Sequence, residues 1–79
     1  EILEPQISLE EARDRVSDHL EIFKERLAII PTNAKEEVLC YEFKGDFHGD
    51  TFIVYINADS GEEQEILKVI RTDTGDLTM

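Results

Sequence analysis

Residues 38–61, VLCYEFKGDFHGDTFIVYINADSG, alternate apolar and polar side chains on either side of His48-Gly49 and then stop at Asp59-Ser60-Gly61. A two-residue turn with both residues at positive φ matches the twist of antiparallel strands; glycine reaches that region freely, and histidine is among the residues that tolerate it. Phe47 then pairs with Asp50, Phe43 stands opposite Val54 and Tyr41 opposite Ile56, so the apolar sides of the two strands coincide. A slip of one residue would turn one apolar set to the wrong face, which makes this register the tightest constraint on the fold.

The rest of the chain supplies what such a hairpin needs. Asp59-Ser60-Gly61 suits a type I turn with Gly61 left-handed, returning the chain as a further strand from Gln64 to Thr72. A turn from Thr72 to Asp76 leaves a stub ending at Met79. Upstream, Ser8 followed by Glu11 spells a capping box, with Ile7 and Ala12 in the staple positions and Glu10 and Glu11 at the positive end of the helix dipole. Leu9, Ala12, Val16, Leu20 and Phe23 recur at steps of three and four, which predicts one helix with a single apolar stripe. Arg26 to Pro31 reads as a strand ended by a proline, with a loop from Thr32 to Lys35 leading into the hairpin. The expected fold is α+β: one N-terminal helix packed on an antiparallel sheet of about four strands. It is a single module over 1–79 with an ordered core of about 6–72.

At 79 residues the chain holds one domain at most, of a size that buries about 60–65% of the surface its unfolded form exposes. Hydrophobic residues at 41% set it apart from disordered chains, so it is expected to fold. Eight Lys and Arg against nineteen Asp and Glu give a net charge of −11, which repels phosphate backbones and anionic lipid and argues against nucleic acid as a partner. Cys40 is the one cysteine, so no internal disulfide forms. No apolar run approaches the 18 residues of a membrane span, and a chain that opens at Glu1 reads as a piece of a longer protein.

Chemistry is sought in vain. Asp73-Thr74-Gly75 spells the tripeptide of aspartic proteases, but four residues cannot supply the strands that hold such a site, and turn chemistry explains the sequence. Asp46, His48 and Asp50 resemble the start of a calcium loop that then fails at Thr51, where glycine is required, and at Asn57, where glutamate is. His19 lacks a second ligand at four-residue spacing, and Cys40 within a strand reads as a packed thiol. Tyr41, Phe43, Phe47, Phe52 and Tyr55 follow the strand alternation and read as core. No catalytic residue, cofactor or metal is expected.

One surface stands out. In the register above, Val38, Cys40, Ile53, Tyr55, Leu67 and Val69 lie on the sheet face away from the helix, and monomers rarely leave such a patch wet. These six are the candidate interface, to be covered by a partner chain, a sister domain or a second covering segment of the same chain; a homo-oligomer is among the arrangements this allows.

The opening Ile7-Ser8-Leu9-Glu10-Glu11-Ala12 and the segment Phe52 to Gly61 resemble the two ends of the PepSY domain family. LAIIPT, EVLCYEFKGDF, TFIVYINADSGEEQEILKVI and the terminal GDLTM are most similar to the last PepSY repeat of a spore-germination protein, over about residues 5–79. The resemblance implies a cystatin-like helix on an antiparallel sheet and no catalytic residues. It also implies a membrane-anchored parent on the outer side of the inner spore membrane, with repeated PepSY modules of which this is the last. Implied too is a regulatory role in which the parent stabilises a spore cortex-lytic enzyme and holds it inactive, with that enzyme and sister PepSY repeats as partners. A peptidase-inhibitory module, or a purely structural repeat, is the alternative. One departure is Val16, where the family's helices often carry a small residue.

Overall fold

Ser8 starts the only helix among the residues the computed structural model describes, which are 4–32, 35–72 and 75–78. Its hydroxyl accepts from the Glu11 N–H at 3.1 Å while the Glu11 carboxylate accepts from the Ser8 N–H at 3.2 Å, so the capping box forms in full. The helix, α1 (Leu9–Arg13), is nonetheless five residues long and ends well short of Phe23, where the apolar stripe predicts it to run. Beyond it Arg15 and Val16 tighten to i→i−3 bonds, and Ser17 then draws the chain away, its carbonyl accepting from Leu20 N and its hydroxyl from His19 N. Such local serine bonds compete with the helical ladder. Val16 and Leu20 still turn inward, but Phe23 sits on a strand and is 57% exposed.

Five strands follow: β1 (Glu21–Pro31), β2 (Glu37–Phe47), β3 (Asp50–Asn57), β4 (Glu63–Thr72) and β5 (Gly75–Thr78). They form one antiparallel meander in the order β1-β2-β3-β4-β5. β1 thus begins at Glu21, five residues ahead of the expected Arg26, and carries a bulge between Ile22 and Lys24. The stub after Thr72 becomes β5, with Thr72 opposite Gly75 and Val69 opposite Thr78. Of the protease-like tripeptide, Asp73 and Thr74 lie outside the described residues, as does Met79.

The central hairpin has the expected register. His48 and Gly49 take φ of 50° and 83°, and Phe47 pairs with Asp50, Phe43 with Val54 and Tyr41 with Ile56. Gly61 takes a φ of 79° in the next turn, where the Asn57 carboxamide accepts from the Asp59 and Ser60 N–H groups at 2.7 and 3.1 Å. These two tight reversals place β2, β3 and β4 side by side.

The core lies between α1 and the middle of the sheet. Ala12, Val16, Tyr41, Phe43, Val54, Ile56 and Ala58 cluster there, with Ala12, Phe43 and Ile56 wholly buried. Val16 is buried within this cluster. The segment before the helix is held by backbone bonds from Gln6 and Ile7 to the Ala58 carbonyl at 2.7 and 3.0 Å, and by the Tyr41 hydroxyl donating to the Ile7 carbonyl at 2.7 Å. Gly45 sits where the chain crosses from the post-helix turn into β1. A Cβ there would stand 2.7 Å from both the Glu21 carbonyl oxygen and the Leu20 side chain.

Candidate functional site

Strand alternation decides which side chains the helix leaves uncovered. Phe43 and Val54 are buried on the helix side and Ile66, in register with Val54, lies on the same face at its open margin, so their neighbours Glu42, Lys44, Ile53, Tyr55, Glu65 and Leu67 project to the far face. All six candidate residues lie on that face. Val38 is opposite Ile30, Cys40 opposite Ala28 and Asn57, Ile53 opposite Lys44 and Leu67, Tyr55 opposite Glu42 and Glu65, and Val69 opposite Thr51.

They do not make one continuous patch. A polar row, Arg26 to Glu42 to Tyr55, runs across β1, β2 and β3 and divides them. On one side lie Val38 and Cys40 with Ala28 and Ile30 beside them; on the other lie Ile53, Leu67 and Val69. Cys40 and Val69 are buried, which leaves Val38, Ile53, Tyr55 and Leu67, all half-buried, to offer area.

The polar row is tightly bonded. The Arg26 guanidinium donates to Glu42 through Nε at 2.7 Å and Nη2 at 3.3 Å, and the Tyr55 hydroxyl donates to Glu42 Oε2 at 2.7 Å. A carboxylate with 9% of its surface exposed is costly to bury alone, and here both of its oxygens accept from donors. The hydrogen bond from Arg26 holds the Glu42 carboxyl below its ordinary range, against the opposing effect of burial, with the Tyr55 bond and the Arg26 charge adding to it. Burial and then the Glu42 bond push the Tyr55 hydroxyl up to about 12. Burial pushes the Cys40 thiol up to about 11, so at neutral pH it is a protonated, packed group and not a nucleophile.

Arg26 and Glu42 are the site residues that sequence reasoning missed. Glu42 had the right parity, but its partner depends on the register between β1 and β2, which are joined by a connection longer than the two-residue turn that pins β2 on β3.

The remaining residues singled out from sequence fall elsewhere. Asp46 accepts from the Thr51 hydroxyl at 2.7 Å and Asp50 lies 3.7 Å from Lys68, so the calcium-like triplet is dispersed into separate pairs. His19 is exposed, its ring 6.3 Å from that of Phe47 at the hairpin end. Among the described residues no three of His, Cys, Asp and Glu converge in a way that could hold a metal ion. No helix among them is long and apolar enough to cross a membrane.

A polar row locked on a sheet face, with partly open apolar side chains beside it, can bind a surface. Comparison with known proteins agrees with the fold. The family model described as "PepSY: Peptidase propeptide and YPEB domain" matches residues 6–67. The chain is 48% identical over 69 residues to the sporulation protein YpeB of Oceanobacillus iheyensis and 42% identical over 66 residues to that of Halalkalibacterium halodurans. These matches take in 87% and 84% of this chain but 15% of each relative. The solved Bacillus megaterium YpeB C-terminal domain superimposes with a TM-score of 0.81 at 44% identity, over 86% of this chain and 30% of that one.

Proposed function

The chain belongs to the PepSY family, and on that premise we propose that it is a non-catalytic interaction module of a sporulation protein. It acts as the last of several PepSY repeats in a longer, membrane-anchored parent on the outer side of the inner spore membrane. Its task there is to help stabilise a spore cortex-lytic enzyme and hold it inactive until germination. The observation that carries this reading is the far face of the sheet: Ile53, Tyr55 and Leu67 half-buried beside a carboxylate that Arg26 and Tyr55 lock in place. Partly open apolar and aromatic side chains beside a paired arginine suit a protein interface, where aromatic residues and arginine are enriched.

Ile53→Glu tests it cleanly, because Ile53 stands opposite Lys44 and the new carboxylate gains a cross-strand partner, leaving the fold intact. Capture of the purified cortex-lytic enzyme, or of the sister repeats, by the variant is expected to fall at least about tenfold, the loss of one well-placed apolar contact. Capture of both at undiminished strength would sink the reading.

The family description also names peptidase propeptides, which favours a second reading as a peptidase-inhibitory module. Measuring the activity of a secreted peptidase with and without the chain separates the two, since inhibition is expected only under the second.

A further inference from the structure

The outer edge of β1 carries a surface that the far-face reading does not use. Phe23, Leu27 and Ile29 are 57%, 48% and 52% exposed, and they are three of the five large apolar side chains left exposed among the described residues. β1 pairs with β2 on one side, and among the described residues no backbone hydrogen bond reaches its other side.

Long edge strands are usually guarded by bulges, prolines or free charges. Here the bulge lies between Ile22 and Lys24 and the proline is Pro31, so the guards stand at the two ends. The stretch between them, Glu25 to Ile30, holds two charges, and both are already engaged: Glu25 with Arg13 from the helix side, Arg26 with Glu42 on the far face. β1 also stands apart from the rest of the protein in charge. It has two glutamates, one lysine and one arginine and is neutral, while the whole chain carries −11. Two copies that repel elsewhere can approach along this strand.

We propose that the β1 edge pairs with the β1 edge of a second copy, antiparallel about a two-fold axis at Ala28, to make one continuous ten-stranded sheet from two five-stranded ones. Paired residues across an antiparallel ladder share a face, so the register must join positions of equal parity. With Ala28 on the axis, Leu27 of each chain meets Ile29 of the other. Four exposed apolar side chains then close into one cluster on the helix side. Ala28 meets its own copy on the far side with no bulk to clash. Moving the axis to Leu27 sets Glu25 against Ile29 on both sides, and moving it to Arg26 sets two guanidiniums face to face. The strand is thus complementary to itself in the Ala28 register, which argues for a second copy over a strand of other sequence.

Sedimentation equilibrium of the 79-residue chain is expected to show a dimer that dissociates at about 10–100 μM, in keeping with a small interface. Leu27→Lys with Ile29→Lys, which sets like charges across the axis, is expected to raise the dissociation constant at least about a hundredfold. Ile53→Glu on the far face leaves it unchanged. A wild-type chain that stays monomeric to 1 mM, about tenfold above that range, overturns the proposal. So does a folded double variant that dimerises as before.

A second experiment does not depend on that variant folding. In a Cys40→Ser background, Ala28→Cys places two thiols across the axis within the about 5.5 Å or less that separates paired antiparallel Cα atoms, a spacing a disulfide spans. Mild oxidation is expected to cross-link Ala28→Cys copies far faster than Ile30→Cys copies, whose thiols stand four positions out of register. Equal rates for the two, or no cross-link in either, overturn the two-fold pairing.

Discussion

The two faces of the sheet solve the same problem by different means. On the helix side, burial is achieved with covering elements: Phe43 and Ile56 vanish beneath α1 and the segment that leads into it, and the interior there is almost wholly apolar. On the far side no helix among the described residues lies over the sheet, yet Cys40 is wholly buried and Glu42 is only 9% exposed. A covered face tolerates only shape, whereas an uncovered one can hold a charge, provided its hydrogen bonds are complete. The molecule keeps stability on one side of a single sheet and presents rigid polar groups on the other.

The largest test of that contrast is Phe43→Ala. Removing a fully buried aromatic beneath the helix is expected to lower unfolding free energy by about 3–5 kcal/mol, read by urea denaturation. Gly45→Ala should cost somewhat less, about 1–3 kcal/mol, since its methyl would meet the Glu21 backbone and force the crossing chain outward. On the far face, Glu42→Gln should cost only about 1 kcal/mol at pH 7, because the Tyr55 bond survives and Arg26 turns to water. Its signature is in acid. The folded carboxyl is held below its ordinary value, so its contribution is present above that value and fades as pH falls through the folded one. Glu42→Gln should therefore lose less of its stability than the parent between pH 5 and pH 3, a span of about one unit either side of the usual carboxylate range.

The smallest effect lies in alkali. Cys40 is raised from 9.0 to about 11 and Tyr55 from 10.0 to about 12, each protonated more firmly in the folded chain than in the unfolded one. Stability from both is complete below those ordinary values and declines as pH climbs towards the raised ones. Cys40→Ala should delay the onset of this decline from near pH 9 to near pH 10, seen by circular dichroism along a pH titration. If the alkaline curves of parent and variant superimpose, the thiol is not buried as described.

What could be read beforehand divides along the same physical line. The hairpin was legible because two residues at positive φ fix which strand positions meet, and Phe43 opposite Val54 follows without further information. The turn at Gly61 was legible for the same reason. The helix was misjudged because a three-and-four spacing persists through turns: Val16 and Leu20 still face inward after α1 ends, so periodicity alone could not show where Ser17 diverts the backbone. Phe23 then fell on a bulged strand instead of a helix. The six candidate interface residues were assigned to their face from alternation, yet the polar row that divides them was invisible. Arg26 meets Glu42 only once β1 and β2 are set in register, and their connection does not dictate that register.

The anchoring of the entering segment has a mechanical consequence. Gln6 and Ile7 both donate to the Ala58 carbonyl, and the Ala58 N–H in turn donates to the Leu39 carbonyl at 2.9 Å. Tension applied from the upstream side therefore meets the sheet at its middle, where β2 and β3 share the load, before it can unwind the short helix. A chain pulled at that end resists as a plank held by its central joists, and gives way by losing the tie at Ala58 before it peels strand by strand.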